Sequence, residues 1–357
     1  MTPPATSQPL PCAEPRGGDH LERLHVEDPR WTGFVSRSDE ALAFHQPAWA
    51  KTLAAAYGFE PFGLALTSSD GSIVAGIPLV EIERHHVTRW LSLPFSDICP
   101  PLGEPSAVPK LVAAIRSEVS ERRIAGAEIR SRVDCGAQTS WRGVTHELQL
   151  CTDTEAVRSQ FSRSQVQRSI VRSKREGVVV RRGERREDLL EVFFSLHLLT
   201  RRRQGLPAQP PGFFRHLWEQ MIAPGHGFIL ISYIDEVPAA AAVFLLGSTT
   251  VTYKYGASDA AYWSRRPNHP LFWEAIRWSC EHDYRVFDFG RTDCHNEGLR
   301  SFKRGWGADE RELRYSAFGK PPFRPPVLTK SILGPVIRHS PMPLHRALGW
   351  LLYRFIS

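Results

Sequence analysis

The run FDFGRTDCHNEGLRSFKRGWG, Phe287 to Gly307, gathers the side chains best suited to chemistry in this 357-residue chain. Asp288, Arg291, Asp293, His295, Asn296 and Lys303 all fall within it. It opens like a buried strand, Phe287-Asp288-Phe289, and turns on Gly290. Alternation along a strand sends Asp288 away from the two phenylalanines, toward a cleft or toward a buried partner such as Arg291. Lys303 lies between Phe302 and Trp306, with Gly305 and Gly307 allowing close approach. An ammonium in a dry cleft suits the oxyanion formed when an amine attacks an ester or thioester. The plainer reading is a lysine snorkelling over an aromatic patch. Asp293 and His295 are candidate bases or simple turn residues. Asn296 is expected to cap or orient the loop before Gly298.

A second cluster is Tyr253-Lys254-Tyr255. On a regular strand the tyrosines share one face and Lys254 takes the other. In LPFSDICPP, Asp97 and Cys99 follow an expected strand, but a nucleophilic cysteine needs a histidine partner that the sequence does not place. Cys280-x-His282 and Cys294-His295 lack the second ligand pair of a zinc site, so no metal is expected. The chain has no G-x-x-x-x-G-K-[ST], no G-x-G-x-x-G after a strand and no G-x-S-x-G. RRQGLP imitates the R-x-x-G-x-[GA] pyrophosphate loop of acetyl-CoA enzymes. That loop must follow a strand and open a helix. RRQGLP follows an expected helix and ends in proline, which has no N–H to donate.

These residues need elements to position them. RSDEALAFHQPAWAKTLAAAYG reads as a helix, and Asp70-Gly71 between two apolar runs reads as a hairpin turn. LVAAIRSEVSERRIAGAEIR reads as a helix and then a strand. In the second half, EVFFSLHLLTRRRQGLP and PGFFRHLWEQMIAPGHG are helices, and FILISYIDEVPAAAAVFLLGSTTVTYKYGAS gives three strands. A helix (HPLFWEAIRWSCEHDY) and the strand RVFDFG follow. Leu64–Ile82 aligns with Phe228–Leu246 without gaps, as any two hairpins do or as a duplicated α/β unit would. TEAVRSQFSRSQVQRSIVRSKREG reads as one basic helix with Arg168, Arg172 and Arg175 on a face, either solvated or in contact with phosphate.

The net charge of +7 favours anionic partners without naming one. The basic residues are mostly arginine; seven are lysine, so a retained lysine draws notice. The proline-rich start reads as a disordered leader to about residue 30. No apolar run approaches the roughly 20 residues that span a bilayer, and a cytoplasmic location is expected. KPPFRPP reads as a linker, and PLHRALGWLLYRFIS as an amphipathic helix over 343–356 that docks on the core, on a partner or peripherally on the inner membrane face.

The run D-F-G…N-x-G-L…F-K…W-G, with SQVQRSIVRSKREGVVV, LLTRRRQGLP and PNHPLFWEAIRW before it, resembles the FemAB-like branch of the GNAT superfamily. FHQPAWAKTLAAAYG and RWLSLPFSDICPPLG extend the likeness through the first half. The resemblance is to the compact, polysaccharide-associated members, which lack a coiled-coil arm. It implies an α/β (α+β) fold of tandem GNAT-like units, mixed sheets flanked by helices. The units are expected over 31–150 and 151–320, followed by a linker and tail over 321–357. It also implies transfer of an acyl or aminoacyl group to an amine of a small or lipid-linked envelope sugar or peptide precursor. No permanent cofactor is implied; the donor is left open between acyl-CoA and aminoacyl-tRNA, so tRNA is a candidate partner. By the resemblance, Lys303 steadies the intermediate or the substrate. Asp288 joins it in the expected catalytic set on the strength of its strand face, with a structural ion pair as the alternative. Tyr255 contacts substrate and Arg201 grips an anionic group. Lys254, Arg291, Asn296, Phe302 and Trp306 complete the expected substrate-binding set. The alternatives are a conventional acetyl-CoA-dependent N-acetyltransferase of small molecules and an inactive RNA- or membrane-associated binding module.

Overall fold

The computed structural model describes residues 19–84, 86–121, 123–320 and 334–341. The strands are β1 (His20–His25), β2 (Glu60–Thr67), β3 (Ile73–Arg84), β4 (Val87–Leu91), β5 (Leu102–Gly103), β6 (Gly126–Ile129), β7 (Gln138–Gln149), β8 (Val179–Gly183), β9 (Gly227–Ile234), β10 (Val237–Leu246), β11 (Thr250–Ser258), β12 (Val286–Asp288) and β13 (Asp309–Gly319). The α-helices are α1 (Pro29–Arg37), α2 (Pro47–Tyr57), α3 (Val108–Ser120), α4 (Thr154–Ser159), α5 (Arg168–Arg175), α6 (Phe194–Gln204), α7 (Pro211–Leu217), α8 (Asn268–Glu281) and α9 (Glu297–Arg304). They form two compact units. Among the described residues the first takes 19–38, 60–142 and 313–320; the second takes 39–59, 143–312 and 334–341.

In the first unit β1, β2, β3 and β4 pair antiparallel in that order, and β6 joins β4 in parallel. The β2–β3 hairpin turns where Asp70-Gly71 predicts it. Gly71 holds φ +82, and Asp70 accepts bonds from Ser68 and Ser72. Trp31 of α1 lies flat on this sheet because Gly63 and Gly76 carry no side chain: a Cβ there would come within 2.6 and 2.7 Å of its ring. Residues 20–30, expected in a disordered leader, are instead structured. His20–His25 is already a strand, its alternating Leu24 buried, and Asp28 caps α1.

The second unit is built on the sheet order β7-β12-β11-β10-β9-β8. One face is covered by α8, whose Leu271, Phe272, Ala275 and Ile276 recur at helical spacing and pack on Phe244, Val251 and Phe287. The other carries α6 and α7. The expected first-half helix begins only at Pro47, since proline suits a first turn. It belongs to this second unit rather than to a 31–150 block, because Trp49 and Tyr57 pack against Phe213 of α7 at 6.2 and 5.8 Å. α6 ends at Gly205 in the left-handed conformation, with Pro207 after it. The expected basic helix is not continuous. α4 and α5 are separated by a wider turn in which Gln167 N–H reaches Ser162 O. The amphipathic segment 343–356 lies outside the described residues.

Candidate active site

β12 pairs in parallel with β11 only from Thr250–Val286 to Thr252–Asp288. β11 then runs on to Ser258 without that neighbour, so polar groups gather where the strands part. Phe287 and Phe289 face the α8 core, and Asp288 takes the opposite face, as alternation requires. Asp288 is buried and accepts from Thr145 Oγ1 and from Gly290 N–H, both at 2.8 Å. Thr145 comes from β7, whose Glu147 stands opposite Asp288.

Lys303 lies on α9, a helix capped by Asn296 Oδ1 on Leu299 N–H. Glu297 in its first turn and Lys303 and Arg304 in its last suit the helix dipole. Lys303 is only 2% exposed. Its Nζ donates to Gly290 O at 2.6 Å and to Arg291 O at 3.5 Å, which ties α9 to the end of β12. A lysine does not snorkel outward from such a position. Arg291 is exposed at the turn, as are Asp293 and His295. Phe302 is half-buried, against His269 and Phe272. Trp306 is wholly buried among Phe161, Phe272 and Phe289, so it supports α9 from the core rather than meeting a substrate.

One neighbour of Lys303 was not singled out from the sequence. His146 of β7 is fully buried. Its Nε2 lies 3.0 Å from Glu310 Oε2, yet neither ring nitrogen makes a hydrogen bond of good geometry among the described residues. Burial, and then the charge of Lys303, push its pKa down to about 4, against the opposing pull of Glu310. It is neutral at physiological pH. Glu310 is held down at about 2, chiefly by its hydrogen bonds to Arg300. The hydroxyls of Thr252, opposite Asp288, and of Thr292 are buried without hydrogen bonds among the described residues. Unused buried polar capacity at one strand end is uncommon in a folded core.

The Tyr253-Lys254-Tyr255 cluster differs from expectation. A bulge between Val243 and Phe244 sets Tyr255 opposite Val243 and Tyr253 opposite Phe244. The tyrosines therefore point to opposite faces. Tyr253 packs on Phe244 and Phe272, where burial pushes its hydroxyl up to about 12. Tyr255 meets His197, Phe213 and Phe214. Lys254 Nζ sits 5.1 Å over Phe44, 5.8 Å over Trp49 and 5.3 Å over Tyr255, within cation–π range. Arg201 reaches the same cluster: its Nη2 donates to Gln209 Oε1 at 3.4 Å, and that oxygen lies 2.7 Å from His197 Nε2. The structure thus forms two groups, Asp288-Arg291-Lys303 and Arg201-Lys254-Tyr255. Thr252 to Tyr255 of β11 lead from the first to the second. Cys99 is not nucleophilic: it is fully buried, and desolvation raises its thiol far above the usual range. Among the described residues no cluster of histidine, cysteine and carboxylate could hold a metal ion.

Residues 160–304 match the family described as Acetyltransferase (GNAT) domain. This match lies within the second unit. This chain is similar to a lipid II:glycine glycyltransferase of Staphylococcus haemolyticus (strain JCSC1435), 31% identical over 85 residues, 22% of this chain and 20% of that protein. One from Staphylococcus epidermidis (strain ATCC 12228 / FDA PCI 1200) is 34% identical over 79 residues, 20% of this chain and 19% of that protein. The chain therefore spans about a fifth of the length of these curated relatives. The crystal structure of FemX superposes with a TM-score of 0.66 at 15% identity, covering 82% of this chain and 96% of that one. The C-terminal domain of a putative lysylphosphatidylglycerol synthetase from Agrobacterium fabrum gives 0.55 at 13%, covering 83% and 92%. A tandem GNAT protein from clavulanic acid biosynthesis gives 0.53 at 10%, covering 85% and 99%. The mixed α/β fold is thus shared with these structures, and the divergence of β11 from β12 lies within residues 160–304.

Proposed function

We propose that this protein is an N-acyltransferase that moves an acyl or aminoacyl group to an amine of a cell-envelope precursor, lipid-linked as in the glycyltransferase relatives. The observation that carries the reading is Lys303: a buried ammonium fixed on the Gly290 and Arg291 carbonyls beside Asp288, where β11 leaves β12 in a GNAT-type domain. In the reaction the acceptor amine attacks the carbonyl carbon of an ester or thioester. A C–N bond forms, the carbonyl electron pair moves onto oxygen, and its return expels the alkoxide or thiolate, which takes the amine's proton. Lys303 is the cation for the transient oxyanion, and its dry surroundings strengthen that interaction. Asp288, held by Thr145 and Gly290, fixes the strand end. Tyr255, Lys254 and Arg201 form the substrate-binding group, with Arg201 suited to a phosphate or carboxylate. Arg291, Phe302 and Asn296 shape the turn beside the lysine. The donor is either an acyl-CoA or an aminoacyl-tRNA, and the protein acts from the cytoplasm.

The test is transfer to a lipid-linked peptide precursor from each donor class, by wild type and by Lys303→Ala. The expected result is transfer from one donor class and a loss on the order of a hundredfold or more in the variant. Equal rates in the two proteins would remove the lysine from the reaction.

A further inference from the structure

We propose that the exposed face of α5 docks this protein on an anionic membrane surface. Between Arg163 and Gly177 the chain has five cations, Arg163, Arg168, Arg172, Lys174 and Arg175, and one carboxylate, Glu176. All five cations are exposed. Among the described residues only Arg172 pairs with a carboxylate, Glu176, at 3.4 Å. Arg168, Arg172 and Arg175 follow at steps of four and three, so like charges stand on neighbouring turns and repel one another. An anionic surface relieves that repulsion.

Val171 lies among these arginines, one turn from Arg168 and Arg175, and is 60% exposed. The opposite side of α5 buries Ile170 and Ser173, so Val171 is on the outward face rather than the core face. Val179, 49% exposed, follows on β8, the edge strand of the sheet. An apolar side chain inside a basic face gains from the acyl boundary of a bilayer, while the cations gain from its headgroups. A nucleic acid would supply phosphates, but it offers Val171 nothing. Residues 162–192 contain no aromatic side chain on which a base could stack. The segment ahead of α5 also touches the candidate site: Ser162 N–H donates to Gly305 O at 2.8 Å, two residues beyond Lys303. Docking through α5 would therefore hold that turn close to the bilayer.

The experiment is co-sedimentation of the full chain with phosphatidylcholine vesicles, with and without phosphatidylglycerol. Binding is expected only when phosphatidylglycerol is present, and it should weaken as salt is raised. Replacing Arg168, Arg172 and Arg175 together by Gln is expected to weaken binding on the order of a hundredfold. Val171→Ser is expected to weaken it several-fold with the salt dependence unchanged. Because these side chains are exposed, both variants should keep the wild-type unfolding temperature. Wild-type binding by the triple variant overturns the proposal, as does equal binding to both vesicle types. A tRNA that displaces the vesicles and binds Val171→Ser as tightly as wild type overturns it in favour of nucleic acid.

Discussion

His146 gives a prediction in which the magnitude follows from the structure. The group is fully buried, and its pKa stands at about 4 in the folded chain against an ordinary 6.5. A depressed histidine works against the folded state in acid. As pH falls below 6.5 the unfolded chain takes up the proton first, so stability drops until the folded chain also protonates near 4. Linkage then gives a loss of about 2 kcal/mol from this one group between pH 7 and pH 5. His146→Leu removes the titration and keeps an apolar side chain at a buried strand position. The assay is urea unfolding of both proteins at pH 7 and pH 5. The difference between them should change by about 2 kcal/mol over that interval, with the variant less sensitive to acid. Lys303→Met supplies a second arm. The lysine's charge is the second cause of the shift, after burial, so removing it should raise the His146 pKa while leaving it below 6.5. The ring protons in NMR report this directly. An unchanged acid sensitivity in His146→Leu, or a ring that titrates near 6.5 in the wild type, refutes the placement of His146 beside Lys303.

Two further outcomes are expected. Gly307 holds φ +76, and a Cβ there would lie 2.9 Å from the Gln160 carbonyl oxygen, so Gly307→Ala should cost about 1–3 kcal/mol in thermal unfolding; an unchanged midpoint would show that the turn after Lys303 is not built this way. Alkylation of the native chain read by mass spectrometry should label the exposed Cys151 and Cys294 quickly and the buried Cys99 only on unfolding, and early labelling of Cys99 would contradict its burial.

Local chemistry made much of this fold legible. Asp70-Gly71 marks its hairpin, Gly205 and Pro207 stop α6, and the phenylalanines either side of Asp288 assign its face, each through interactions a few residues long. The errors arise where a partner distant in sequence decides. α2 joins the second unit because Trp49 and Tyr57 find Phe213, more than 150 residues away. The opposed faces of Tyr253 and Tyr255 depend on the bulge against Val243 and Phe244, and alternation along one strand carries no trace of it.

His146 was missed for a related reason, although it left a signal. In VTHELQL it occupies the same phase as Leu148, which faces the α8 core. A histidine in an apolar phase is either a satisfied core group or a sign that something charged stands opposite. The strand sequence alone leaves both readings open. Lys303 settles the matter, because α9 brings its ammonium under the same end of β12, and its charge helps keep the imidazole neutral. The polar run that begins at Asp288 thus draws its surroundings from β7 and β11. Thr145 fixes the carboxylate, His146 lies near the ammonium, and Thr252 stands where the strands part. Replacing any of these three would alter the surroundings of Lys303 or Asp288 without touching the run in which both were first noticed.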